Sequence, residues 1–207
     1  MKEDILIFPY SGTGIEALDC LGESFNCVGF ISDDLNQIGK SYNNYKIFDR
    51  KIIQNYNDSK IIAVHGSPNS YLRRKEILNS LNAQQNRFCT IIHPSAAISA
   101  FAKIGKNVLI MANVSIGPNV IIKDNVIVLP NSTIHHDSIL HEYSIICGNV
   151  VVAGNVIIEE NCYVGAGTSI INNCTIGTNS IIGIGSNVIN NVTSNSKVAG
   201  NPAKQLN

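Results

Sequence analysis

The chain has 207 residues, room for one large domain or two small ones, and 44% of them are hydrophobic, which supports a packed core and argues against disorder. Fifteen basic and fifteen acidic residues leave no net charge. That excludes the basic footprint of a nucleic-acid binder and a polybasic membrane anchor.

The opening "MKEDILIFPYSGTG" has an apolar run too short for a signal peptide, with acids ahead of it, and no run is long enough to cross a bilayer. A cytoplasmic address is expected, in which the six cysteines, lacking any CxxC pair, stay free and act as small hydrophobes. "DILIF" reads as a buried strand, "PYSGTG" as a turn and "IEALDCLGES" as a short helix. "CVGFISDD" is a second strand ending in two acids, "YKIFD" a third and "KIIAVHGSP" another. "NSYLRRKEILNSLNAQ" has the pattern of a capped amphipathic helix, and "FCTIIH" is a last strand. Strands alternating with helices predict a small, Rossmann-like parallel α/β sheet, whose ligands sit at the carboxyl ends of the strands. Those ends carry Ser11 to Gly14, Asp33 with Asp34, and Gly66 with Ser67.

From Ile92 to Val188 an aliphatic residue recurs at every sixth position, and four residues after each stands a small or β-branched one. Neither a helix nor a flat strand repeats in this way, whereas the hexapeptide β-helix does. Each hexapeptide forms one face of a triangular prism, so the run makes between five and six coils. The anchors point inward. Asn, Gly and Asp between them suit corners that need left-handed backbone. Cys162 and Cys174 fall on small inward positions. The tail "SNSKVAGNPAKQLN" breaks the rhythm and is expected to leave the prism.

Candidate chemistry concentrates in two places. "SGTG", between the first strand and the first helix, reads either as a phosphate-accepting helix start or as a plain tight turn. The acids after the second strand could bind a ribose or base, and one of Arg73, Arg74 and Lys75 could help hold a diphosphate, although a solvated helix face is the favoured reading there. In "IHHDS", His136 with Asp137 supplies a neutral imidazole beside a carboxylate that can orient it, the elements of a general base. His135 shares the corner, while His141 falls to the next face. His136 and His141 also have the His-x4-His spacing of hexapeptide carbonic anhydrases, a zinc reading for which His93 is the upstream repeat-region histidine available as a third ligand.

Taken together, "YSGTG", "SDD", "IIHPSA", "IHHDS", "AGNV", "ENCYVGAGTSI" and "VAGNPAK" resemble the bacterial nucleotide-sugar acetyltransferases of the left-handed β-helix class, over nearly the whole chain. That group includes bacillosamine, perosamine and viosamine N-acetyltransferases and sialic-acid O-acetyltransferases. The resemblance implies an α/β unit over residues 1–90 that binds the nucleotide sugar, and a left-handed parallel β-helix with its tail over 91–207. The family's catalytic histidine and following acid fall on His136 and Asp137. Ser11, Gly12, Thr13, Gly14, Asp33 and Asp34 would hold the nucleotide, with Thr13 where relatives often have His. Acetyl-CoA, the acyl donor, would lie between neighbouring prisms of a homotrimer. Gly154, Ala166, Ile184 and Gly185 would line it, with Lys197, Asn201 and Pro202 toward its adenine and phosphates. No metal is implied. Ile145 replaces a histidine that contacts the thioester in some relatives, so a backbone N–H at or near Gly154 would polarise the carbonyl. The implied reaction acetylates the amino group of a nucleotide-linked 4-amino-dideoxy sugar for surface polysaccharide or glycan synthesis. O-acetylation of the sialic-acid type and a zinc-dependent carbonic anhydrase-like protein are the alternatives.

Overall fold

The structure is a computed structural model that describes residues 2–206. The N-terminal unit is built around a five-stranded sheet. Its strands are β1 (Glu3–Phe8), β2 (Phe25–Ile31), β3 (Ser41–Tyr42), β4 (Tyr45–Phe48) and β5 (Lys60–Ala63), in the order β3-β4-β2-β1-β5. Only β3 runs antiparallel. Ile5, Leu6, Ile7 and Phe8 of β1 have no exposed surface, as befits a central strand of a parallel sheet covered on both faces.

The helices differ in extent from those expected. Helix α1 covers Gly12–Asp19 and starts three residues earlier than "IEALDCLGES", because Ser11 is its N-cap and its hydroxyl accepts from Gly14 N. A short α2 (Ile52–Asn55) had no sequence expectation. The single amphipathic helix expected over 69–84 is a 3₁₀ turn at Tyr71–Arg73 followed by α3 (Arg74–Asn79).

From Ile91 on, seventeen two-residue strands stack in parallel, each pairing with the strand a full coil away. They form the three faces of a left-handed β-helix. Face one contains Ile91–Ile92, Leu109–Ile110, Ile127–Val128, Ile145–Ile146, Tyr163–Val164 and Ile181–Ile182; face two runs from Ala97–Ile98 to Asn187–Val188; face three runs from Lys103–Ile104 to Thr175–Ile176. The second residue of each pair is the anchor, and from Ile110 to Val188 all are buried. The first residue of each pair points outward, and these outward rows differ by face. On face one Ile91, Leu109, Ile127 and Ile145 are apolar and buried against Ile5, Ile7 and Ile62 of the N-terminal unit. That row is the docking surface, and burying it ties the two units together. On face two the row is mostly polar, Ser115, Thr133 and Ser169, with Val151 exposed among them. On face three Ile121, Ile139 and Ile157 remain half-buried.

The corners explain the asparagines. From Asn107 to Gly185 every sixth residue has positive φ, and Asn fills the position except at Asp137, Tyr143, Gly167 and Gly185. Asn tolerates left-handed backbone better than other residues with a side chain, Gly apart. Its amide also bonds the Asn one coil above, as in Asn107 to Asn125, Asn113 to Asn131 and Asn155 to Asn173.

The tail does not leave the prism. Lys197–Ala199 pairs in parallel with Ile181–Ile182, sixteen residues earlier instead of eighteen, and Lys204–Gln205 folds back antiparallel to close the end. The rhythm breaks because the last coil is shorter, while the stacking continues. No helix among the described residues is long and apolar enough to cross a membrane.

Candidate active site

His136 and Asp137 stand on the edge between faces two and three, one residue past the strand Thr133–Ile134. Asp137 has φ 59° and occupies a ladder corner where most coils carry Asn. Its Oδ2 lies 2.7 Å from His136 Nδ1, and its Oδ1 accepts from Asn119 Nδ2 at 2.9 Å. The hydrogen bonds from His136 and Asn119 hold the Asp137 carboxyl below the usual carboxylate range. An ionised carboxylate only accepts, so neutral His136 presents N–H at Nδ1 and keeps the lone pair of Nε2 for chemistry. The ring is 59% exposed, open to a bound acceptor.

Gly154, one coil above, is buried beneath this ring. A Cβ there would come 2.6 Å from both Cε1 and Nε2 of His136. The donor contact expected at Gly154 is left to its backbone amide, whose N–H has no acceptor among the described residues.

His141 lies on another edge, between faces three and one, with Glu142 at 3.6 Å and Glu159 at 3.8 Å. It does not converge with His136. Ile145 is 3% exposed and packs beneath Gly66 of the N-terminal unit.

The other expected donor residues gather on the edge between faces one and two. Ala166 and Ile184 are exposed there, Ile184 by 79%. Gly167 and Gly185 take the left-handed corners without a side chain, and a Cβ on Gly185 would meet nothing within 4 Å. The turn holding Asn201 and Pro202 stacks on the same edge through Asn187 N to Gly200 O, and Lys197 is exposed on the strand before it. This open edge suits a long, extended ligand, and face two separates it from His136 within one chain.

A second cleft opens at the carboxyl ends of β1, β2 and β5, lined by Ser11, Ser32, Asp33, Asp34, Gln37, His65 and Ser67 among others. Three expected nucleotide residues, Ser11, Asp33 and Asp34, are in its wall. Asp33 forms a two-pronged ion pair with Arg50, and Asp34 caps Asn36 N. Gly12 and Thr13 form the first turn of α1. Gly14 is buried, its N–H is taken by Ser11 Oγ, and a Cβ would lie 2.1 Å from Pro9 O, so packing demands this glycine. Gln37 and His65 were not singled out from the sequence. His65 sits in the strand-end segment "HGS", which was the available signal. Burial, and then the Arg74 guanidinium, hold His65 below the usual imidazole range.

Arg74 departs from the solvated helix face expected of it. It is fully buried, donating to His65 O and to Tyr143 O, the latter on a corner where most coils carry Asn. It ties the cleft wall to the prism.

Fold and site together define a hexapeptide-repeat left-handed β-helix, with a His–Asp pair on one edge and a polar cleft on an appended α/β sheet. Solved structures share this build over their full length. The acetyltransferase domain of PglB from Neisseria gonorrhoeae is 25% identical, with a TM-score of 0.86, covering 99% of this chain and 100% of that one. PerB from Caulobacter crescentus, solved with CoA and GDP-perosamine, is 22% identical with a TM-score of 0.84 over 100% and 98%. WeeI from Acinetobacter baumannii is 23% identical with a TM-score of 0.83 over 100% of both chains. The family described as the GMPPB C-terminal domain matches residues 87–166. None of the curated proteins matches the sequence.

Proposed function

We propose that this chain transfers the acetyl group of acetyl-CoA to the amino group of a nucleotide-linked 4-amino sugar, with His136 as general base. The observation that carries the reading is the hydrogen-bonded His136–Asp137 pair, exposed on the prism edge. Full-length similarity to the gonococcal acetyltransferase domain supports it, as do the CoA and GDP-perosamine held by the Caulobacter protein.

The work divides near residue 90. The cleft of the N-terminal unit holds the nucleotide through Ser11, Asp33 and Asp34, with the first turn of α1, Gly12 to Gly14, beside them. The 91–207 unit carries the chemistry. The neutral sugar amine attacks the thioester carbonyl directly. A C–N bond forms, the C–S bond breaks, the amine proton passes to His136 Nε2, and the sulfur leaves to be protonated as free CoA. Asp137 holds the ring and stabilises the imidazolium. Direct transfer requires only that amine and thioester be held in an attacking pose.

Acetyl-CoA fits the open edge of Ala166, Ile184 and Gly185, with Lys197, Asn201 and Pro202 at its head. Because that edge and His136 lie on different edges of one prism, we read the enzyme as a homotrimer in which one prism's donor edge meets the next prism's His136. The half-buried row Ile121, Ile139 and Ile157 is available for packing between prisms.

The test incubates the protein with acetyl-CoA and a panel of nucleoside-diphosphate 4-amino sugars, following free thiol. Turnover with one or more amino sugars is expected. Turnover only with hydroxyl acceptors such as sialic acid would replace N- by O-acetylation, and none with any acceptor would reject acyl transfer.

A further inference from the structure

We propose that Asn119 and Gly154 are positioning residues that clamp the His136 imidazole, one through Asp137 and the other by having no side chain. The inference rests on His136 being the base in the reading above, but half of its test does not need turnover.

The asparagine comes first. At other corners an Asn amide meets an Asn carbonyl, on a different edge where Asn113 meets Asn131 and higher on the same edge where Asn155 meets Asn173. Asn119 meets a carboxylate instead. Its amide occupies Oδ1 of Asp137, so the plane of that carboxylate is fixed from one side, and Oδ2 is the oxygen turned to His136 Nδ1 at 2.7 Å. Without Asn119 the carboxylate is free to rotate, and the ring loses its fixed partner. One coil thereby helps to hold a side chain on the next.

The glycine acts from the other side. Gly154 is not among the positive-φ residues, so its backbone does not require glycine. The requirement comes from the imidazole, whose Cε1 and Nε2 would stand 2.6 Å from a Cβ at this position. The ring is the movable partner in that collision. An alanine would therefore push the imidazole off its seat while leaving the coil intact. With Nδ1 bonded to Asp137 and Gly154 packed against the Cε1–Nε2 side, the ring is held from two sides.

The test uses three variants of the full chain. Asn119→Gly removes the amide but keeps left-handed backbone accessible. Asn113→Gly removes an equivalent amide on a different edge. Gly154→Ala adds the colliding methyl. Imidazole ¹⁵N shifts, with His136 assigned by its loss in His136→Ala, report the tautomer; kcat and KM for both substrates report the chemistry. Wild type should hold His136 mainly as the Nδ1–H form. Asn119→Gly and Gly154→Ala should move it toward the mixture of a free imidazole and lower kcat by about ten- to a hundredfold, with each KM within about twofold. Gly154→Ala should melt no lower than wild type. Asn113→Gly should lose as much thermal stability as Asn119→Gly, with tautomer and kcat unchanged. The clamp is refuted if Asn119→Gly and Gly154→Ala keep the wild-type tautomer, or if Asn113→Gly loses kcat equally. A wild type with no turnover on any acceptor would sink the acetyl-transfer reading, and the tautomer would still decide the clamp.

Discussion

Asp137→Asn sets the demands of the scaffold against those of the chemistry. Position 137 is a left-handed corner flanked by Asn119 below and Asn155 above. A new amide there would still accept from Asn119, and it would donate to Asn155, joining the run that now begins at Asn155 and Asn173. One added neutral hydrogen bond in a chain of this length corresponds to about 2–4 °C in Tm. Against it stands the lost carboxylate, whose pKa is depressed in the folded chain by its hydrogen bonds from His136 and Asn119. A depressed carboxyl pKa contributes stability above the unfolded value of about 4, and that contribution is lost as pH falls through the folded value. The side chain is about half exposed, 49%, so solvent screening keeps the contribution small. The variant should therefore melt at or above the wild-type temperature near pH 7, and its advantage should widen toward pH 3. Activity should move the other way. An amide presents either its N–H₂ or its carbonyl to the ring and offers no charge to the imidazolium, so kcat should fall by about 10²–10⁴-fold. Paired thermal melts and thiol-release assays read both numbers. A variant that melts several degrees lower at both pH values, while keeping kcat within twofold, would refute the reasoning.

Ser138→Ala removes a buried hydroxyl that donates to Ala153 O at 2.9 Å and accepts from Val156 N at 3.1 Å. Both partners lose their bonds, at a cost of about 1–3 kcal/mol, and a melt should show a drop of about 2–12 °C. Arg74→Ala deletes the buried donor to His65 O and Tyr143 O. Calorimetry should then resolve separate transitions for the N-terminal unit and the prism where wild type shows one. Burial pushes the Cys89 and Cys162 thiols up to about 12, and Cys20 and Cys27 to about 11. A thiol reagent at pH 7.5 should label the native protein slowly without abolishing turnover, and react with all six cysteines after denaturation.

Most of the prism was legible because its constraint is local and repeated. A residue pointing into a narrow triangular core must be aliphatic whatever else the chain does, so Ile134, Leu140 and Ile146 announce themselves at every sixth step. The outward rows carried information of a different kind. Ile91, Leu109, Ile127 and Ile145 are apolar because a second unit covers them, a tertiary fact that the period alone does not contain. The corner exceptions were also written in the sequence: where Asn gives way to Asp137, Tyr143, Gly167 or Gly185, the coil serves His136, Arg74 or the open edge. Arg74 misled because a charged residue on an amphipathic helix is usually solvated. Here the backbone carbonyls of His65 and Tyr143 replace water. The tail misled because loss of the six-residue step signals a shorter coil as readily as an exit.

The central claim is that His136 takes the proton in a direct acetyl transfer. Its most direct test is the steady-state rate of His136→Ala with acetyl-CoA and the best amino-sugar acceptor. The account predicts a loss of about a hundredfold or more in kcat, with KM for acetyl-CoA little changed and the fold intact by melting temperature. A variant that turns over at the wild-type rate would contradict it.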